Sequence, residues 1–175
     1  MVEQIIIDVS VFMNSMTTLP RNKALQVEAV EFLRRVHVAL KAAEVQLREP
    51  PLFILETFSA TNRQRDHQSW LLYDEWRTGP LPTLIEPFTE DDAHKVMDDH
   101  AARFRFEPPF VKGGDLAYLG LARKHGATLI TCDAQLLRYG TERFATVIRP
   151  STWLASGDHG GPTLAPSAVE DGAKR

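Results

Sequence analysis

The sequence predicts an α/β domain of three layers, α/β/α, with a short central parallel sheet and helices on both faces. Three observations point there. Short runs, wholly apolar in Ile5–Ile7 and mainly so in "ATLIT" (residues 127–131), alternate with amphipathic helical stretches. Runs apolar at every position fit strands buried on both faces, the situation of parallel strands under crossover helices. Finally, apolar runs stop on acids: "IIID" on Asp8, "LFILE" on Glu56 and "TLITCD" on Asp133. Open parallel sheets bind ligands at the carboxyl ends of their strands, so these acids fall where ligands dock.

The elements follow in order. Ile5–Ile7 is a first strand, and "VSVFMNSM" opens a short helix. Residues 22–47 read as one long helix, with Leu25, Ala29, Phe32, Leu33, Val36 and Leu40 at steps of three and four and Glu31, Arg34, Arg35 and Lys41 on other faces. "EPPLFILE" reads as a proline stop followed by a short apolar strand that ends at Glu56. Thr57 to about Arg77 is again helical, polar early and aromatic later. "TGPLPTLIEPF" is a loop with one short extended piece. Thr89 and Asp92 give a capping-box-like start to a helix that reaches about Phe104. "EPPFVKGG" is a loop, and "DLAYLGLARKHG" is a helix stopped by Gly126. "ATLIT" is a buried strand, "AQLLRYG" a short helix and "ATVIRP" a last strand. Beyond Trp153 the composition turns to Gly, Pro, Ser and Ala with no apolar period, which predicts a domain over 1–155 and a mobile tail over 156–175.

With 175 residues, 43% of them hydrophobic and 25% charged, the chain suits one soluble domain. No apolar run is long enough to span a bilayer, and "MVEQIIID" lacks the basic start of a signal peptide. The single cysteine, Cys132, excludes an internal disulfide and a cysteine-rich zinc site, so a reducing cytoplasm is the simplest compartment. A net charge of -3 argues against a broad basic face for non-specific nucleic-acid binding, though not against a local basic rim.

A fourth acid, Asp115, follows Gly113-Gly114 at a helix start. Singly, each acid has an ordinary role. Asp8, Asp115 and Asp133 can cap helices, and Glu56 can lie in a first turn. Jointly they conflict, because carboxylates gathered at one edge repel and burial drives protonation. A divalent cation resolves the conflict. Oxygen-only ligands select Mg²⁺ or Mn²⁺, and such a centre suits in-line displacement at phosphorus.

"IIIDVSVF", "FILETFS", "GGDLAYLGLARKHGATLITCD" and "VIRP" resemble the PIN-domain nucleases, with the closest likeness to the virulence-associated protein C (VapC) toxins of prokaryotic toxin–antitoxin pairs. The resemblance spans residues 5–150 and is most specific over 113–133. It implies a PIN-like fold with Asp8, Glu56, Asp115 and Asp133 as the catalytic, metal-binding acids. It further implies that Ser10 is a supporting hydroxyl and that Thr131 orients a carboxylate or phosphate. The activity it implies is a Mg²⁺- or Mn²⁺-dependent endoribonuclease leaving a 3′-hydroxyl and a 5′-phosphate. The implied partners are RNA, a second copy in a homodimer and a small cognate antitoxin. Two departures stand out. Gln135 occupies a place where some members carry another acid, which implies one firmly held ion and a second that arrives with substrate. Residues 78–110, with their prolines, match the family poorly.

Lys112, Arg123, Lys124 and Arg138 flank the acids in sequence and are candidates for phosphate contact, Lys112 foremost; solvated surface charge explains them equally well. Arg63, Arg65 and His67 either guide RNA or form an exposed face. Trp70, Tyr73 and Trp76 fit packing better than base stacking. Cys132 fits a small strand residue better than a nucleophile. The six histidines form no H-x-x-x-H pattern, which leaves a zinc protease without support. A receiver domain needs an acidic pair after the first strand, and a haloacid-dehalogenase-type phosphatase needs Asp where Ser10 stands. Two rivals within the same fold remain: an RNA-processing nuclease with no toxin role, and a binding module that has lost catalysis.

Overall fold

Three consecutive isoleucines set the centre of the molecule. Successive strand residues point to opposite faces, and Ile5, Ile6 and Ile7 have no exposure at all, so both faces of their strand are covered. The computed structural model describes residues 2–16, 23–63, 83–103, 113–141 and 144–156. Its elements run β1 (Glu3–Ile7), α1 (Val9–Met16), α2 (Lys23–Lys41), β2 (Val45–Glu49), α3 (Pro51–Arg63), β3 (Thr83–Ile85), α4 (Glu90–Arg103), α5 (Gly113–His125), β4 (Thr128–Ile130), α6 (Ala134–Thr141), β5 (Thr146–Ile148) and α7 (Pro150–Ser156).

The five strands are parallel, in the order β3-β2-β1-β4-β5. The chain therefore builds outward from β1 through β2 and β3, then returns to the other side of β1 with β4 and β5. The topological switch point lies between β1 and β4, and the crevice at their carboxyl ends is where a sheet of this kind receives ligands. Ile5 pairs with Thr128 and Ile7 with Ile130, which brings residue 8 level with residue 131. The ladder continues one step further, since the Asp8 amide donates to the Ile130 carbonyl at 2.9 Å.

Helices α1, α2 and α7 pack together, with α2 against β2, while α5 lies on β1 and β4 with α4 against it. Edge-to-face ring pairs join α1 to α3, Phe12 on Phe53 at 5.2 Å, and α2 to α7, Phe32 on Trp153 at 5.1 Å. The Trp153 indole N–H donates to the Glu3 carboxylate, which ties α7 back to β1.

Two boundaries differ from the sequence prediction. The long helix stops at Lys41 rather than running to residue 47. Ala43 takes the left-handed conformation at φ 55°, and the Ala43 and Glu44 amides bond back to the Leu40 and Ala39 carbonyls. This is a Schellman cap built without the glycine that normally announces one. The residues then form β2, "VQLRE", whose alternate side chains Val45, Leu47 and Glu49 are buried. Arg48 on the other face bonds to Gln4 at 2.6 Å and Glu86 at 2.7 Å.

The second correction concerns "LFILE", which is helical. Pro51 takes the first position of α3, where a missing N–H costs nothing and the fixed φ suits the helix. Glu56 is therefore presented from a helix, and the acid that closes β2 is Glu49. The other expected elements that fall on described residues are present; of the helix expected from Thr57 to about Arg77, residues to Arg63 continue α3 and the rest lies outside the described residues. Thr89 and Asp92 form the reciprocal capping bonds of α4 at 3.1 and 3.2 Å, and Gly126 ends α5 at φ 59°. Lys112, Arg65, His67, Trp70, Tyr73, Trp76 and residues 157–175 lie outside the described residues, and Arg63 closes α3.

Candidate active site at the β1–β4 switch point

Asp8 leaves the end of β1 and is only 4% exposed. Two hydroxyls address its carboxylate. Thr131 Oγ1, from the residue after β4, donates to Asp8 Oδ2 at 2.7 Å, and Ser10 Oγ donates to the same oxygen. Each hydroxyl in turn accepts a backbone amide from the turn after β4: Cys132 N–H to Ser10 Oγ at 3.0 Å and Asp133 N–H to Thr131 Oγ1 at 2.9 Å. Ser10 and Thr131 thus spend their protons on Asp8 and their lone pairs on the β4–α6 turn. They join the ends of the two central strands into one polar unit.

Asp133 begins α6 and caps it, its Oδ1 accepting the amides of Gln135 at 2.6 Å and Leu136 at 3.3 Å. The capping role and the electrostatic role coexist on different oxygens. Asp8 Oδ1 and Asp133 Oδ2 accept no hydrogen bond among the described residues. Burial pushes the Asp8 carboxyl above its usual range and the charge of Asp133 adds to this, while the hydrogen bonds from Ser10 and Thr131 pull against it.

The other two acids meet along α3 and α5. Glu56 is half-buried in the second turn of α3, and Asp115 is half-buried in the first turn of α5, where the helix dipole favours an anion. Glu56 Oε2 accepts a hydrogen bond from the Tyr118 hydroxyl at 2.7 Å. Its Oε1 lies against Gly114 so closely that a Cβ there would sit 2.6 Å away. Tyr118 is wholly buried, and burial, followed by the charge of Glu56, drives its phenol far above the usual range. The charges of Asp8 and Glu49 push the same phenol further up. A cavity of about 510 Å³ opens beside Glu56, walled by Pro50, Pro51, Leu52, Phe88 and the Gly113-Gly114 backbone.

Two site residues escape the sequence reading. Tyr118 stands three after Asp115, which places both on one helix face, but an aromatic in an apolar helix looks like core. Glu49 is fully buried at the end of β2. The alternation in "VQLRE" is its signal, masked by the helical pattern before it.

The flanking cations sort clearly. Arg123 pairs with Asp99 at 2.8 Å and lies over the Phe144 ring, and Lys124 pairs with Asp92 at 3.0 Å. Both sit in the last turn of α5, roughly 12 Å along the axis from Asp115, and act in packing rather than at the acidic edge. Arg138 is exposed in the last turn of α6. Burial pushes the Cys132 thiol up to about 12, which removes it as a nucleophile at neutral pH.

The donors are all oxygens, which suits a hard cation such as Mg²⁺ or Mn²⁺. A buried Asp8 beside the charge of Asp133 is also an arrangement that a cation would relieve. Asp8, Glu56, Asp115 and Asp133 share one edge of the sheet, yet no three His, Cys, Asp or Glu side chains among the described residues stand close enough together to hold a metal ion. No helix among those residues is long and apolar enough to cross a membrane.

The sheet order and the acids at its carboxyl edge define a PIN-like α/β fold, the fold that the sequence resemblance implies. The VapBC2 complex of Rickettsia felis, bound to a DNA fragment from its promoter, superposes with a TM-score of 0.60 at 10% identity, over 83% of this chain and 98% of that one. FitAcB of Neisseria gonorrhoeae gives 0.59 at 16% identity, over 84% and 98%. VapC20 of Mycobacterium tuberculosis, a toxin that cleaves the sarcin–ricin loop, gives 0.56 at 16% identity, over 78% and 95%. The chain thus has the fold of the VapC-type PIN-domain toxins. No protein-family model and no curated protein sequence matches it.

Proposed function

We propose that this protein is a divalent-metal-dependent endoribonuclease and the toxin of a toxin–antitoxin pair. The observation that carries the proposal is the buried Asp8 at the β1–β4 switch point, joined to the Asp133 turn through Ser10 and Thr131. Asp8 and Asp133 on one side and Glu56 and Asp115 on the other would have to draw together to hold Mg²⁺ or Mn²⁺, which would supply Lewis-acid activation of a scissile phosphodiester. Ser10 and Thr131 fix the Asp8 carboxylate through Oδ2 and leave Oδ1 for ligand. Asp133 does the converse, with Oδ1 committed to α6 and Oδ2 available. Burial of Asp8 keeps water from screening its charge, so an ion there is felt strongly by a bound phosphate.

RNA is the substrate this reading favours, since the family resemblance implies an endoribonuclease and VapC20, a toxin that cleaves the sarcin–ricin loop, shares the fold. The VapBC2 and FitAcB complexes favour a cognate antitoxin as partner, and a homodimer accords with the family resemblance. Lys112 is the first candidate for RNA contact by its place just before Asp115.

The test is cleavage of a mixed RNA pool by purified protein with Mg²⁺, Mn²⁺ or EDTA, alongside Asp8→Asn. We expect cutting that requires metal and disappears in a folded Asp8→Asn variant. A folded wild-type protein that binds RNA and leaves every RNA intact would point instead to a binding module.

A further inference from the structure

Glu56 meets two residues of another helix through its side chain. Asp8 and Asp133 are short side chains that bond to helix starts beside their strands, whereas Glu56 reaches out from α3 on a longer stem. Ordering such a stem costs roughly 1–2 kcal/mol of rotamer entropy. Two residues of α5 remove that freedom. The Tyr118 hydroxyl donates to Oε2 at 2.7 Å from a ring that is wholly buried in the core. Gly114 meets Oε1 with bare backbone, since a Cβ in its place would lie 2.6 Å from that oxygen. Gly114 and Tyr118 are four residues apart and Asp115 and Tyr118 three, so all three share one helix face.

We propose that Tyr118 is a positioning residue, which with Gly114 clamps the Glu56 carboxylate against the start of α5 and fixes its distance from Asp115. The assignment rests on the metal-dependent nuclease reading and adds to it a residue that touches neither metal nor substrate. Helix α5 then carries one acid and holds the second, so the two approach a ligand as one rigid unit. A buried phenol needs an acceptor, and Glu56 is that acceptor here. The bond serves both partners.

Tyr118→Phe tests the clamp, because it removes one oxygen and keeps the ring that packs the core. Mn²⁺ binding to the full chain would be measured by calorimetry for wild type, Tyr118→Phe, Glu56→Gln and the double variant. Cleavage of a fluorescent RNA would be followed against Mn²⁺ concentration on the same four proteins. Groups that orient metal ligands typically contribute 10–100-fold in affinity. We expect Tyr118→Phe to weaken Mn²⁺ binding at least tenfold, with cleavage approaching the wild-type rate at saturating Mn²⁺. We expect no further loss when Tyr118→Phe is added to Glu56→Gln. Unchanged Mn²⁺ affinity and metal dependence in Tyr118→Phe would overturn the assignment. So would an equal loss in the Glu56→Gln background, because Tyr118 would then act through packing alone. A wild-type protein that neither binds Mn²⁺ nor cuts RNA would overturn the nuclease reading itself, and the clamp with it.

Discussion

Adding a single methyl group at Gly114 separates positioning from stability. In Gly114→Ala the new Cβ would lie 2.6 Å from Glu56 Oε1 and 3.2 Å from Leu52 Cδ2. Ordinary contact begins near 3.4 Å. Glu56 must therefore retreat by about 0.8 Å, and a displacement near 1 Å at a reacting centre costs on the order of 100-fold in rate. The helix itself gains, since Ala is favoured over Gly in helices by roughly 0.5–1 kcal/mol. For a chain of this size that is worth a rise of roughly 1–4 °C in Tm. Gly113→Ala is the control, because a Cβ at Gly113 meets nothing within 4 Å. The assay is kcat on an RNA that the wild type cuts, with Tm measured by calorimetry on the same preparations. We expect Gly114→Ala to lose activity without losing stability and Gly113→Ala to keep both. Wild-type cleavage by Gly114→Ala, or an equal loss in Gly113→Ala, would refute the close approach of Glu56 to α5.

Other perturbations give equally specific outcomes. Asp8 has a raised carboxyl in the folded state, so the native protein holds its proton more tightly than the unfolded chain and loses stability as pH rises above the ordinary carboxylate range. Asp8→Asn should then abolish cleavage while melting above wild type in metal-free buffer, with the gap widest near neutral pH and closing toward pH 4. Thr131→Val removes a donor to a buried carboxylate and leaves the Asp133 amide without its acceptor, for a loss of roughly 1.5–3 kcal/mol by urea unfolding. Asp92 works in the opposite sense to Asp8. The Thr89 amide, then Lys124, hold its carboxyl down at about 2, so its contribution is present above about pH 4 and is lost as the pH falls toward 2. Asp92→Asn should flatten that acid limb of the Tm profile.

The central sheet was legible because β1 and β4 end in the apolar runs Ile5–Ile7 and Leu129–Ile130, with Asp8 and Asp133 following them closely. Asp115 was legible from Gly113-Gly114 and the helix behind it. The second strand was not. Its polar residue Arg48 is held by partners far off in sequence, Gln4 and Glu86, and in turn bonds to Gln46, so "VQLRE" looks like a helix end rather than a strand. With Ala43 in place of a glycine at the cap, nothing local marked the break. "LFILE" has apolar residues in four successive places and suits a strand by pattern. Pro51 decides otherwise by starting a helix, and Glu56 reaches the same edge by a different route. Tyr118 acquires its role only through α3, which no spacing within α5 reveals.

The bond between Thr131 and Asp8 spans 123 residues of chain, and the Ser10 link to the Cys132 amide spans nearly as many. The Asp8 half of this centre therefore leaves the ribosome well before the Thr131 half. At 5–20 residues per second the interval is about 6–25 s. During that time β1, the middle strand, lacks β4 on one flank, and Asp8 is without the hydroxyl that later holds it. A nascent copy therefore carries an unfinished centre over that interval. The centre closes only when β4 pairs with β1 and brings Thr131 level with Asp8.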